Sequence, residues 1–202
     1  MNFMILISVV CLAYLMGSIP TGLIAGRLKG VDVRKQGSGN VGATNVARVV
    51  GKLPGLLVLG VDGLKGWVPV ALLAPKAVEL GAPLPVDSLR ILLGVAAVAG
   101  HIWNPFLQFQ GGKGVATATG VLIGLDWRVA FGTFVVWLAA AWRTRYVSVS
   151  SIAAALAAPF LMLLFGAPTA WVFGCIGVSL GIIWRHRPNI LRLLQHEEHR
   201  IG

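Results

Sequence analysis

The sequence predicts an all-α, polytopic membrane protein: seven transmembrane helices with the chemistry-bearing loops on the cytoplasmic side. Three observations lead there. The 202-residue chain is 56% hydrophobic and only 12% charged, with mean hydropathy +0.81, more apolar surface than a soluble domain of that length would carry. Its apolar residues fall into runs that can cross a bilayer at about 1.5 Å per helical residue. The formal net charge of +10 is gathered in short basic clusters between those runs. That placement suits the positive-inside rule and anionic ligands or lipids, and no nucleic-acid partner is expected.

The first segment, Phe3 to Ala25, is interrupted by Gly17-Ser18-Ile19-Pro20-Thr21-Gly22. Such a break survives in a membrane only when buried in protein or lining a wet cavity. With no basic n-region or small-residue cleavage site, the segment reads as a retained span. Residues 27–52 are polar, glycine-rich and basic. The second segment, Leu53–Ala74, carries Asp62 and Lys65 on one helical face. An unpaired charge at the bilayer centre costs about 3 kcal/mol, so these two should pair with each other or face a cavity. After the loop Pro75–Asp87 comes the third segment, Leu89–Phe106. The fourth, Val115–Leu125, is short for a crossing unless the turn before it sits partly within the membrane. Asp126-Trp127-Arg128 leads into the fifth, which ends near Trp142, and Arg143-Thr144-Arg145-Tyr146 makes a basic turn. The sixth is Val149–Phe165 and the seventh, after Gly166-Ala167-Pro168, is Thr169–Trp184; Arg185–Gly202 is polar and basic. With no fixed-period repeat, residues 1–202 read as one domain.

Seven spans place the two ends on opposite sides. Of the 17 Lys and Arg residues, thirteen fall on one side; only Lys76, Arg90 and Arg128 fall on the other, and Lys65 lies within a span. This sets the N-terminus outside and the C-terminus in the cytoplasm. Cys11 and Cys175 lie far apart in apolar segments and read as small packing residues. The carboxylates are scattered, so neither metal nor cofactor is expected.

Three polar stretches then share the cytoplasmic side. Gly100–Gly120, GHIWNPFLQFQGGKGVATATG, holds Gly111-Gly112-Lys113-Gly114 ahead of a helix. Glycines let backbone N–H groups approach a ligand, and a lysine at a helix N-terminus adds charge, a combination that suits phosphate. It is not a Walker A loop, because Gly114 follows Lys113 where Ser or Thr is required; a plain turn between membrane helices would look the same. Gly37–Arg48, GSGNVGATNVAR, offers Ser38, Asn40, Thr44, Asn45 and Arg48 as hydrogen-bonding groups. Arg48 can hold a phosphate bidentately, although a flexible loop before a helix also explains the stretch. Arg185-His186-Arg187-Pro188-Asn189 places a histidine among arginines that favour its neutral form, suited to a base toward a hydroxyl. An ordinary basic helix end is the alternative. His101 reads as a hydrogen-bonded structural residue.

Together, GSGNVGATNVAR, GHIWNPFLQFQGGKGVATATG and HRPNILRLLQHEE closely resemble the three signature motifs of the bacterial acyl-phosphate:glycerol-3-phosphate acyltransferases, the PlsY family. GSIPTG at 17–22, DGLKG at 62–66 and TRYVSVSSI at 144–152 also look like that family, in the right order over nearly the whole chain. The resemblance implies transfer of a fatty acyl group from acyl phosphate to the sn-1 hydroxyl of glycerol 3-phosphate, giving lysophosphatidic acid and phosphate in phospholipid biosynthesis. It implies a bacterial cytoplasmic (inner) membrane enzyme whose partners are acyl phosphate, glycerol 3-phosphate, membrane lipids and the soluble enzyme that makes acyl phosphate. By position, Ser38, Arg48, His186 and Asn189 match the catalytic residues. The glycines Gly111, Gly112 and Gly114 match the acyl-phosphate site, and Gly39, Asn40, Thr44, Asn45, Lys113, Arg145 and Ser148 are expected to bind the substrates. Glu198 matches a structural acidic residue. Two positions depart: Gln110 stands where the family has Lys or Arg, and His196 where a glycine is usual. A transporter for a phosphorylated solute is the competing class, but it would place polar groups on both sides and show an inverted repeat.

Overall fold

Apolar runs become helices, and the helices stop where glycine, proline or a polar cap appears in the sequence. The computed structural model describes residues 2–201, and no strand occurs among the described residues. The broken first segment is α1 (Phe3–Gly17) and α2 (Thr21–Arg27). A short α3 (Ala43–Val49) precedes α4 (Lys52–Val68), which continues through a π turn at Pro69–Leu73 into α5 (Ala74–Glu79). The π turn starts at Pro69, which lacks the N–H of the ordinary α-helical bond. Then follow α6 (Val86–Ile102), a 3₁₀ turn at Pro105–Leu107, α7 (Val115–Leu125), α8 (Trp127–Thr144), α9 (Val147–Leu164), α10 (Thr169–Arg185) and α11 (Arg187–Leu194).

Four stretches are long and apolar enough to cross a membrane: Phe3–Arg27, Lys52–Glu79, Val86–Leu107 and Val147–Leu164. Val115–Leu125 and Thr169–Arg185 are apolar but shorter; at 11 residues, α7 spans only about 16 Å. The exterior carries large apolar side chains such as Leu56, Phe131, Phe160 and Phe173, whereas Ser18, Asp62, Lys65, Thr117, Ser150 and Ser179 are buried. This distribution suits a protein whose surroundings are lipid.

The break after α1 has its carbonyls satisfied from elsewhere. Ser18 Oγ donates to Tyr14 O and Gly100 O, Asn104 Nδ2 donates to Ser18 O, and Lys65 Nζ donates to Ile19 O. Asp62 and Lys65 pair as expected, at 2.5 Å, and Thr21 Oγ1 completes the set by donating to Asp62. The broken helix can sit this close to α6 because a Cβ on Gly17 would come within 2.0 Å of Ala97 O; only glycine fits.

Two helices were not legible beforehand. The seven residues of α3 are too few for an isolated helix; α3 is held by packing, with Val46 fully buried and Gly55 of α4 leaving room for Ala47. The other is α11, in the stretch expected to be only a polar tail. The second segment also runs on to Glu79, and the third helix ends at Ile102 because Asn104 Oδ1 accepts from Phe106 N to start the 3₁₀ turn.

Candidate active site

The chain reversals place the ends of α6, α8 and α10 beside the starts of α7, α9 and α11. There a pocket of about 460 Å³ opens, walled by Ser38, Gly39 and Asn40, by Gly111 and Lys113, and by Arg185, Arg187, Asn189 and Arg192. The three polar stretches of the sequence are therefore one site in space.

The first wall is shaped by one buried amide. Asn45 Nδ2 donates to Val33 O and Gln36 O, while its Oδ1 accepts from Ser38 N at 2.9 Å. Asn40 Oδ1 accepts from Gly42 N, turning the loop into α3. Asn45, expected among the substrate-binding residues, has its amide engaged in holding Ser38 in place, and Thr44 is exposed away from the pocket wall. Arg34, which the sequence did not single out, lines the pocket but is held by Asp32 through two hydrogen bonds. Arg48 is exposed in the last turn of α3, close enough to Lys113 for its charge to act there.

The second wall corrects the reason given for the glycines. Gly111 N donates to Ile102 O and Gly112 N to His101 O, so these N–H groups are not turned toward a ligand. Their carbonyls accept from Arg185, Nη2 to Gly111 O at 2.6 Å and Nε to Gly112 O at 3.2 Å. A Cβ on Gly111 would lie 2.0 Å from His101 O, and one on Gly112 would lie 2.2 Å from His101 Nε2. The glycines let the turn lie flat on α6. Lys113 follows and brings the charge into the pocket. Burial pushes its ammonium down to about 8, assisted by Arg192, Arg185 and Arg48 and opposed by Glu198. A Gly112→Ala variant should force the His101 ring and the turn apart. Overpacking of this kind costs about 1–3 kcal/mol, so a lowered Tm should accompany the lost activity. An unchanged Tm with a raised KM would restore ligand approach as the reason for glycine.

The third wall is α11 with the residues after it. Glu198 accepts from Ser148 Oγ at 2.8 Å, Asn189 Nδ2 at 2.6 Å and Arg192 Nε at 2.8 Å. It thereby ties the start of α9 to α11, which gives Ser148, expected at the substrate, a bond to Glu198 instead. Asn189 is 5% exposed, and its Oδ1 has no partner beside the pocket. An unpaired buried acceptor costs about 1–3 kcal/mol, and at Oδ1, itself buried, no bond within the protein offsets that cost. Arg145 adopts φ 60°, the left-handed conformation, and its carbonyl accepts from Ile201 N; its side chain is exposed and outside the pocket wall.

His186, in the bend between α10 and α11, is 2% exposed. Its Nδ1 lies 2.8 Å from Ile182 O. A carbonyl only accepts, so Nδ1 carries the proton and Nε2 of the neutral ring has a free lone pair. Burial first, then Lys113, push the imidazole down to about 4, against the opposing pull of Ile182 O and Glu198.

Burial raises the Glu198 carboxyl, but the bonds from Asn189, Arg192 and Ser148 outweigh it and hold the group below its ordinary 4.5. A depressed folded-state value means that stability is present above 4.5 and is lost as pH falls through the lower, folded value. Glu198→Gln should therefore lower Tm at pH 7, through a stability loss of about 1.5–3 kcal/mol for lost charged hydrogen bonds, and flatten the decline of Tm toward acid. Parallel Tm–pH curves for variant and parent would overturn this role.

The family model described as glycerol-3-phosphate acyltransferase matches residues 7–196. The chain is 48% identical over 191 residues to glycerol-3-phosphate acyltransferase 2 of Moorella thermoacetica, with 94% of each chain covered. It is 46% identical over 192 residues to the glycerol-3-phosphate acyltransferase of Aquifex aeolicus, covering 95% of this chain and 96% of that one. Among solved structures it resembles PlsY, an integral membrane glycerol 3-phosphate acyltransferase crystallised in its glycerol 3-phosphate form, with TM-score 0.89 and 45% identity over 97% of this chain and 95% of that one. For the lysophosphatidic acid form of PlsY the TM-score is 0.86 and the identity 44%, with the same coverage.

Proposed function

Since this chain belongs to the glycerol-3-phosphate acyltransferase family, we propose that it transfers a fatty acyl group from acyl phosphate to the sn-1 hydroxyl of glycerol 3-phosphate. The products are lysophosphatidic acid and inorganic phosphate. The observation that carries this reading is the pocket itself, where Lys113 and Arg187 share the walls with Ser38 and Asn189. Both substrates bring a phosphate to such a pocket, and one brings a hydroxyl. The hydroxyl oxygen attacks the acyl carbonyl carbon, the acyl–oxygen bond to phosphate breaks, and phosphate departs with that electron pair. The donor is already activated, so orientation and charge stabilisation are the main tasks of the protein. In this reading Arg48 and Lys113 hold phosphate charge, Ser38 and Asn189 orient the hydroxyl, and His186 Nε2 or a substrate phosphate oxygen receives its proton.

The test is turnover by purified protein supplied with glycerol 3-phosphate and, separately, acyl phosphate, acyl-CoA and acyl-carrier protein. Lysophosphatidic acid acylated at sn-1, formed from acyl phosphate alone, is the expected result. Product from acyl-CoA but not from acyl phosphate, or sn-2 product, would overturn the assignment.

The same reading places the protein in the bacterial cytoplasmic membrane with seven spans, the pocket on the cytoplasmic face, and the N-terminus outside. The support is the basic asymmetry and the clustering of the polar walls at one end. A reporter fused after Gly202 should be accessible from the cytoplasm and one ahead of Met1 inaccessible; the reverse pattern would refute the topology.

A further inference from the structure

Arg185 lines the pocket together with Lys113, and on charge alone it would count as a second phosphate-binding group. Its geometry says otherwise. Two of its three guanidinium nitrogens donate to the carbonyls of Gly111 and Gly112, across 74 and 73 residues of chain. The N–H groups of the same two glycines donate to Ile102 and His101 carbonyls at the end of α6. Four hydrogen bonds thus hold the backbone of both glycines between α6 and α10, and the next side chain to leave that brace is that of Lys113. Of the remaining pocket arginines, Arg34 is held by Asp32 and Arg192 by Glu198, whereas Arg187, like Lys113, has no acidic partner within ion-pair distance among the described residues.

We propose that Arg185 is a positioning residue, whose fork on the Gly111 and Gly112 carbonyls fixes the turn that presents the Lys113 ammonium to substrate phosphate. The inference rests on the reading of this pocket as a phosphate site. The required geometry belongs to arginine: a planar fork reaches two adjacent carbonyls in fixed directions, while a lysine is a point charge with no such hold. In this role the effect of the guanidinium passes through Lys113.

A double-mutant cycle tests this, using the purified full-length wild type, Arg185→Lys, Lys113→Gln and the double variant, with Arg185→Gln as a second probe of the fork. All are checked for helical content and Tm in the same detergent. The cycle is read in kcat/KM and, independently, in calorimetric binding of glycerol 3-phosphate and of inorganic phosphate. Arg185→Lys, which keeps the charge, should lose about tenfold to a hundredfold, the scale of a misplacement near 1 Å. The double variant should be no worse than Lys113→Gln, because both changes remove one interaction. Multiplying losses would overturn the proposal and make Arg185 a direct ligand, and wild-type behaviour of Arg185→Lys would show that charge alone matters. A wrong donor assignment appears as wild type that binds phosphate without turnover from acyl phosphate; the binding cycle then still decides the role of Arg185. Wild type that binds neither phosphate compound would refute both.

Discussion

Arg48→Lys is expected to lose about a hundredfold in kcat/KM for glycerol 3-phosphate while folding and inserting normally. Arg48 is exposed in the last turn of α3, and among the described residues it makes no ion pair or side-chain hydrogen bond, so its fork is free for a ligand. Arg48 is not among the residues that line the pocket, but its charge reaches Lys113, which does. Glycerol 3-phosphate is small, and its phosphate is the one strong handle by which its hydroxyl can be aimed. A guanidinium grips a phosphate through two parallel bonds, whereas an ammonium leaves the molecule free to pivot. Misaiming by about 1 Å is worth roughly a hundredfold in rate. The fold should not respond, because α3 is held by buried Val46 and by Asn45, not by Arg48. Steady-state kinetics at saturating acyl phosphate check this, and turnover within twofold of the parent would remove Arg48 from the phosphate grip.

His186→Ala should also fall by about a hundredfold or more, and the pH profile then identifies the proton acceptor. Held down to about 4, the imidazole is protonated only below that pH and keeps Nε2 open as an acceptor through the physiological range. An acid limb of kcat/KM near 4 that disappears in His186→Gln makes the histidine the base. A limb near 6, where a phosphate monoester takes up its second proton, that persists in His186→Gln makes a substrate phosphate the base and His186 an orienting acceptor. On the alkaline side, kcat/KM should fall as pH rises through about 8, because Lys113 is charged below its depressed value and neutral above it. Near-wild-type turnover in both Arg48→Lys and His186→Ala at saturating substrates would overturn the mechanism.

The sequence by itself determined the helical class, the order of the apolar segments to within a few residues at most ends, and the three stretches that meet in the pocket. Those properties are local: hydropathy decides which runs leave water, and proline, glycine and polar caps decide where they stop. It also required that Asp62 and Lys65 be compensated, since a lone charge in an apolar span is too costly. Tertiary structure alone decided which polar groups are spent on the scaffold and which remain free. Asn45 and Ser148 have the same chemistry as Asn189 and Ser38, yet Asn45 braces a loop and Ser148 bonds Glu198, while Asn189 keeps an unpaired oxygen. The glycines beside Lys113 follow the same rule: their N–H groups go to α6 and their carbonyls to Arg185. A donor's availability depends on which acceptor folding brings within about 3 Å, and for Gly111 and Arg185 that neighbour lies 74 residues along the chain, beyond the reach of any local pattern.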